Sequence, residues 1–410
     1  MKKSIKQKTG IFLSALTIAI GCAPPVRTLS ALPVRIHLTA GHSTSFAVPK
    51  SVQVSISDEG TCHLTDEASE YILTGEAAGD ASLVISVMGV PLKTVPVSVA
   101  QNRMVMPGGQ SIGVALKTRG ALVIGMSDVN GMESPARRAG LRTGDRIVSV
   151  DGKPIESAMA LSDCLTGENQ LMTVARDDAE RIVPVTALAD SRDGCYRLGA
   201  WVRDSTAGVG TLSFYDPESG GFAALGHPIT DADTGAIMPI GEGYIYESRI
   251  VGLEKGQSGA PGELKGEFFQ DEKRIGEAGE NHELGLYGAA DAPLINPLFP
   301  NGISVMARSE VQLGAAQIIT TIEGKGMQMY DCEIAKRYPQ DRPDARSLVI
   351  RITDPALLQT TGGIVQGMSG SPVIQDGRLA GAVTHVFVND PTQGYGLYAE
   401  WMLALCDEAA

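Results

Sequence analysis

Gly367-Met368-Ser369-Gly370-Ser371-Pro372 is the stretch that decides how this chain folds. It follows Gly362-Gly363-Ile364-Val365 and runs into Val373-Ile374-Gln375-Asp376-Gly377-Arg378-Leu379-Ala380-Gly381-Ala382-Val383. A serine between glycines can occupy a tight turn with little bulk beside its hydroxyl. In such a turn the backbone N–H groups of Gly367 and Ser369 can converge on one point, the geometry of an oxyanion hole. The apolar run after Pro372, broken by Asp376-Gly377, predicts a β-hairpin that anchors the turn. A glycine-rich turn with two incidental serines fits the same hexamer, so its surroundings have to decide.

Working outward, the sequence from about residue 190 onward reads as short strands and glycine turns. Leu198–Val202, Gly208–Phe214, Gly221–Ile229, Ser248–Val251, Ile303–Met306, Gln317–Ile322 and Ser347–Asp354 are the clearest runs. Many short strands without helical segments between them predict a barrel or sandwich. In that setting the hexamer resembles the nucleophile loop of chymotrypsin-like serine proteases, with Ser369 as the attacking residue. A serine hydroxyl needs a base, and the base needs an orienting partner. His227, at the end of the apolar run Ala223-Ala224-Leu225-Gly226, is placed to line a cleft and is the first candidate. His385, in the strand Ala382–Val388, is the second, and His282 sits in a charged loop. For the acid, Asp354 closes a strand before Pro355, while Asp231 and Asp233 are near His227 in sequence only. A strand-end carboxylate can equally cap the next helix.

Before this region, Ala139-Gly140-Leu141-Arg142-Thr143-Gly144-Asp145-Arg146-Ile147-Val148-Ser149-Val150-Asp151-Gly152 resembles a bacterial PDZ domain. Ser134-Pro135 reads as the cap and first position of a short helix that Gly140 ends, and Ser157–Leu165 reads as a second helix. The resemblance implies a groove that accepts a peptide as an added strand, held by backbone N–H groups near Ser111, Ile112, Gly113 and Val114. A purely structural PDZ packed on its neighbour is the plainer alternative.

Residues 33–104 alternate in the β manner at Val34–Leu38, Val52–Ile56 and Ser82–Val87, predicting a small β domain without chemistry of its own. Its histidines, His37, His42 and His63, lack the spacing of a metal site, and neither a metal nor a cofactor is expected. Residues 1–32 begin with a basic segment and continue through an almost wholly apolar Gly10–Gly21, the pattern of a signal segment or an N-terminal anchor. The 410 residues fit two or three domains, and 43% hydrophobic residues with only 5% aromatic suit β-rich units. A net charge of −13, spread along the chain, argues against nucleic acid as a partner. The six cysteines contain no Cys-x-x-Cys pair, which removes the usual zinc and disulfide frameworks.

Taken together, Val105–Val114, the PDZ run, Ala224–His227 and Gly363–Met402 resemble the stage IV sporulation protein B peptidases of endospore-forming bacteria. That resemblance implies a mainly β chain: segment 1–32, small β domain 33–104, PDZ domain 105–189, and a chymotrypsin-like double β-barrel peptidase over 190–410. It implies Ser369 as nucleophile, His227 as base, Asp354 as acid, and Gly367 with Ser369 as oxyanion donors. The expected activity is that of an exported regulatory serine endopeptidase in the forespore intermembrane space. It would cut itself in trans and cut a regulator of an intramembrane metalloprotease, so that a late pro-sigma factor is processed. A non-catalytic PDZ scaffold and a general quality-control protease are the alternatives. Two features depart from chymotrypsin: Met368 stands where an activating aspartate precedes the nucleophile, and Asp354 is unusually near Ser369 in sequence.

Overall fold

A computed structural model describes residues 33–409 apart from 50, 68–69, 177–178, 270–272, 323, 325 and 339. The signal or anchor segment expected at 1–32 lies outside the described residues. Among the described residues, no helix is long and apolar enough to cross a membrane. The chain is mainly β and divides into two units.

The first unit comprises the N-terminal part to Met104, Ser304–Leu313 and Gly377–Ala380. In it a four-stranded sheet has the order Ile36–Thr39, Val90–Ala100, Gly79–Val87, Val52–Ile56, and a three-stranded sheet joins Ser43–Ala47, Glu70–Gly75 and Cys62–Glu67. Period-two alternation turns Ala81, Leu83 and Ile85 of one strand inward onto Leu38, Leu73 and Val97. Within the same unit, the buried Glu310 carboxylate accepts from Thr39 N and pairs with Arg378 at 2.7 Å.

The second unit holds two barrels and the PDZ region. Six strands follow one another in the ring Ser111–Met126, Glu242–Glu247, Arg274–His282, Gly285–Ala290, Gly221–Ala224 and Ala200–Tyr215. Pairing of Ala200–Tyr215 back onto Ser111–Met126 closes this first barrel. Ile112, Leu116, Leu212, Phe222, Ile245 and Leu286 fill its core. The second barrel closes in the order Gly314–Ile322, Gly326–Arg337, Leu348–Ile352, Gln393–Tyr398, Arg378–Val386, Pro372–Gln375. The helix Ala399–Ala409, the last element among the described residues, buries Ala399, Met402 and Cys406.

Two strands of the first barrel are far longer than the barrel needs, at 16 residues each. Their excess forms the start and finish of the PDZ region, which therefore sits inside a barrel hairpin. Gly120, at φ +88°, makes the transition possible, because a Cβ there would lie 2.4 Å from Ile147 O. Beyond it Leu122 pairs with Arg146, and the sheet continues through Asn169–Arg176 to Ala179–Thr186. Both expected helices form, as Pro135–Arg138 and Ala158–Cys164, with Ser134 and Ser157 as their caps.

Candidate active site and peptide edge

Ser369 is held by contacts to both barrels. Met368 N donates to Val365 O and Ser371 N to Met368 O, two successive i to i+3 turns that fold the hexamer. From the first barrel, Thr211 N donates to Ser369 O at 3.1 Å and Thr211 Oγ1 to Gly367 O at 2.7 Å. From the second, Gly370 N donates to Val383 O at 2.7 Å. Gly370 has φ +96°, and a Cβ there would lie 2.1 Å from Thr211 O, so only glycine lets the barrels approach at this point. With Met368 N turned inward, the N–H groups of Gly367 and Ser369 make no backbone bond among the described residues. They remain available as a pair of oxyanion donors.

His227 follows the strand Gly221–Ala224 after two residues in the left-handed region, Leu225 at φ +70° and Gly226 at φ +72°. A leucine there is strained, a cost that clusters at functional sites. Asn281 pins the loop beyond: Ile229 N donates to its Oδ1, and its Nδ2 donates to Ile229 O and Met238 O, each at 2.8 Å. His227 Nδ1 lies 2.9 Å from Pro228 O. A carbonyl only accepts, so Nδ1 carries the proton and Nε2 keeps its lone pair, the tautomer a general base requires. Burial holds this imidazole below the ordinary histidine value, against the opposing pull of the Pro228 bond.

His227 and Ser369 line the same cleft, of about 850 Å³, together with Gly367, Thr384 and His385. One wall is the strand Glu263–Glu267, where Leu264 N donates to Gln366 O and Gln366 N to Gly262 O, each at 2.8 Å. In this arrangement the Ser369 hydroxyl donates to Thr384 O at 2.7 Å.

Asp354, expected as the acid, does not line this cleft and has no hydrogen bond to His227 among the described residues. It is the N-cap of the helix Pro355–Thr361, its Oδ1 accepting from Leu357 N at 2.9 Å. An aspartate before a proline is itself a helix-start signature, and that signal prevails here. Asp231 and Asp233 are also occupied, both paired with Arg203. Thr211 and Asn281 position the site yet carry no sequence signal, since each acts through a contact distant along the chain.

A second correction concerns the peptide groove. Ser111, Ile112, Gly113 and Val114 are barrel residues, paired on one side with Gly208–Thr211 and, from Ile112 onward, on the other with Ile245–Glu247. With both edges taken, no strand can be added there. The edge of the PDZ sheet opposite the terminal strand Ala179–Thr186 is instead the segment Ala200–Arg203, paired only with Leu122–Met126 among the described residues. A cleft of about 600 Å³ lies between this edge and the helix Ala158–Cys164, lined by Leu161, Leu165 and the exposed Trp201. Asp204 ties the two together by accepting from Ala158 N at 2.8 Å.

A family model described as SpoIVB peptidase S55 matches residues 194–403, and one described as PDZ domain matches 130–176. A search of the curated proteins found no match. Among solved structures, the Rv3671c protease of M. tuberculosis in its active form is 16% identical, with a TM-score of 0.29, over 48% of this chain and 74% of that one. The HtrA-type protease AlgW with decapeptide is 13% identical, with a TM-score of 0.28, over 50% of this chain and 54% of that one. Likenesses of this size place no residue and assign no role.

Proposed function

The chain belongs to the SpoIVB peptidase S55 family, a serine peptidase with a PDZ domain, and on that premise we propose that it is an exported regulatory endopeptidase of sporulation signalling. The observation carrying the chemistry is the shared cleft: Ser369 and His227 line it together, beside the N–H groups of Gly367 and Ser369, which make no backbone bond among the described residues. For attack, the Ser369 hydroxyl turns from Thr384 O toward His227 Nε2, giving up one hydrogen bond worth about 1 kcal/mol net. Nε2 takes the proton as Oγ adds to the scissile carbonyl, and the N–H groups of Gly367 and Ser369 receive the oxyanion. Nε2 then returns the proton to the leaving amine, and water releases the acyl group by the same steps in reverse. The Pro228 carbonyl holds the ring and fixes the tautomer, the part a carboxylate plays in the usual triad.

The substrates we propose are a second copy of the chain and a regulator of an intramembrane metalloprotease, cut in the forespore intermembrane space so that a late pro-sigma factor is processed. The PDZ edge at Ala200–Arg203 would recruit them by strand addition. Family membership and the uncovered edge support this reading. The test is intact-mass analysis over time of purified protein lacking residues 1–23, beside its Ser369→Ala partner. Discrete fragments from the first alone are expected; equal fragmentation in both removes Ser369 from the mechanism.

A further inference from the structure

We propose that His385 is a positioning residue of this peptidase, holding the His227 ring from the cleft side and helping to set the pH at which that ring becomes a base. The inference rests on the reading of Ser369 and His227 above.

Three observations carry it. The ring centroids of His227 and His385 are 5.2 Å apart with a tilt of 44°, within the range in which aromatic rings pack on one another. The strand bearing His385 is built to present it. Pairing with Gln393–Tyr398 runs in register to Val383 opposite Gly396, then resumes at Val386 opposite Gly394. Thr384 and His385 thus face the single residue Tyr395, a β-bulge of the kind that re-aims a side chain beside an active site. The same bulge offers Thr384 O to the Ser369 hydroxyl. Gly394 makes room for it, because a Cβ there would lie 2.6 Å from His385 O. Finally, among the described residues no carboxylate is hydrogen-bonded to His227; Asp354 caps a helix, and Asp231 and Asp233 serve Arg203.

Physically, the His385 ring shields one side of His227 from water, and any positive charge on it opposes a second charge close by. The shielding keeps His227 neutral to lower pH, and a fixed cation in place of His385 would do so further. The titratable and charged groups around His385 are His227 and Arg346, while Glu263 and Lys265 line the cleft from the strand Glu263–Glu267.

The experiment follows the rate of covalent labelling by a fluorophosphonate against pH, read by intact mass. The probe's phosphorus bonds to Ser369 Oγ, fluoride leaves, and His227 takes the serine proton, so no protein substrate is needed. His385→Gln removes the ring that shields His227, and the acid limb of the profile should move up by about half a pH unit with a slower plateau. His385→Lys installs a permanent cation, and the limb should move down. A purely structural role cannot produce opposite shifts. Limbs unmoved in both variants, or moved the same way, overturn the proposal. Labelling that survives in Ser369→Ala overturns instead the nucleophile reading on which it rests.

Discussion

Replacing Asp354 separates two accounts of this residue by several orders of magnitude. As a helix N-cap, its Oδ1 satisfies Leu357 N, one of the orphan donors of the Pro355–Thr361 helix. Asparagine caps about as well as aspartate, so Asp354→Asn should leave stability nearly unchanged, whereas Asp354→Ala should cost about 1 kcal/mol. In a unit of this size, a loss of that order lowers Tm by only about 2 °C. For labelling, the cap account predicts Asp354→Asn within about twofold of the parent rate, less than 0.5 kcal/mol of barrier by transition-state arithmetic. A triad acid changed to its amide instead loses about 10⁴ in kcat. The assay pairs fluorophosphonate labelling with thermal melts of parent, Asp354→Asn and Asp354→Ala. A thousandfold slower Asp354→Asn with an unchanged melt would refute the cap reasoning and return Asp354 to the catalytic set.

Other expectations follow from the same geometry. Because burial lowers the His227 pKa, the ring stays neutral, and therefore basic, below the ordinary histidine value; the acid limb of labelling should fall below pH 6.5. A midpoint above that value would contradict the burial. Gly370→Ala places a methyl 2.1 Å from Thr211 O on a left-handed backbone, so labelling should be lost, as measured beside a circular-dichroism check of the fold. In the first unit, Arg378→Met leaves Glu310 buried without its ion-pair partner, and urea unfolding should show a loss of about 3–5 kcal/mol in that unit. For the PDZ edge, Trp201→Ala should weaken capture of a peptide substrate while leaving fluorophosphonate labelling intact, since Trp201 lines the PDZ cleft and not the barrel cleft.

What the sequence showed and what it hid divide along a physical line. Ser369 and its loop were legible because glycines at fixed positions announce left-handed turns, and Asp376-Gly377 duly turns the hairpin at φ +50° and +72°. His227 was legible as the residue just past an apolar strand. The PDZ helices were legible from their serine caps. Hidden were features set by partners distant along the chain. Nothing local tells that the run from Ser111 to Met126 serves a barrel in its first half and a PDZ sheet in its second, so the local pattern points to Ser111–Val114 where the fold leaves Ala200–Arg203 as the edge. Asp354-Pro355 was locally ambiguous, because a strand-end acid and a helix cap share one signature. The nearness of His385 to His227 depends on a bulge in strand pairing, which no spacing in the chain encodes.

The central claim, that Ser369 is the nucleophile activated by His227, is tested most directly by mapping a fluorophosphonate adduct. Its neighbour Ser371 is buried, with a hydroxyl that has no hydrogen-bond partner among the described residues, whereas Ser369 opens on the cleft. The account predicts one adduct per chain, on the peptide containing Ser369, absent in Ser369→Ala and slowed at least a hundredfold in His227→Ala. An adduct on Ser371, or one that persists without either residue, would contradict it.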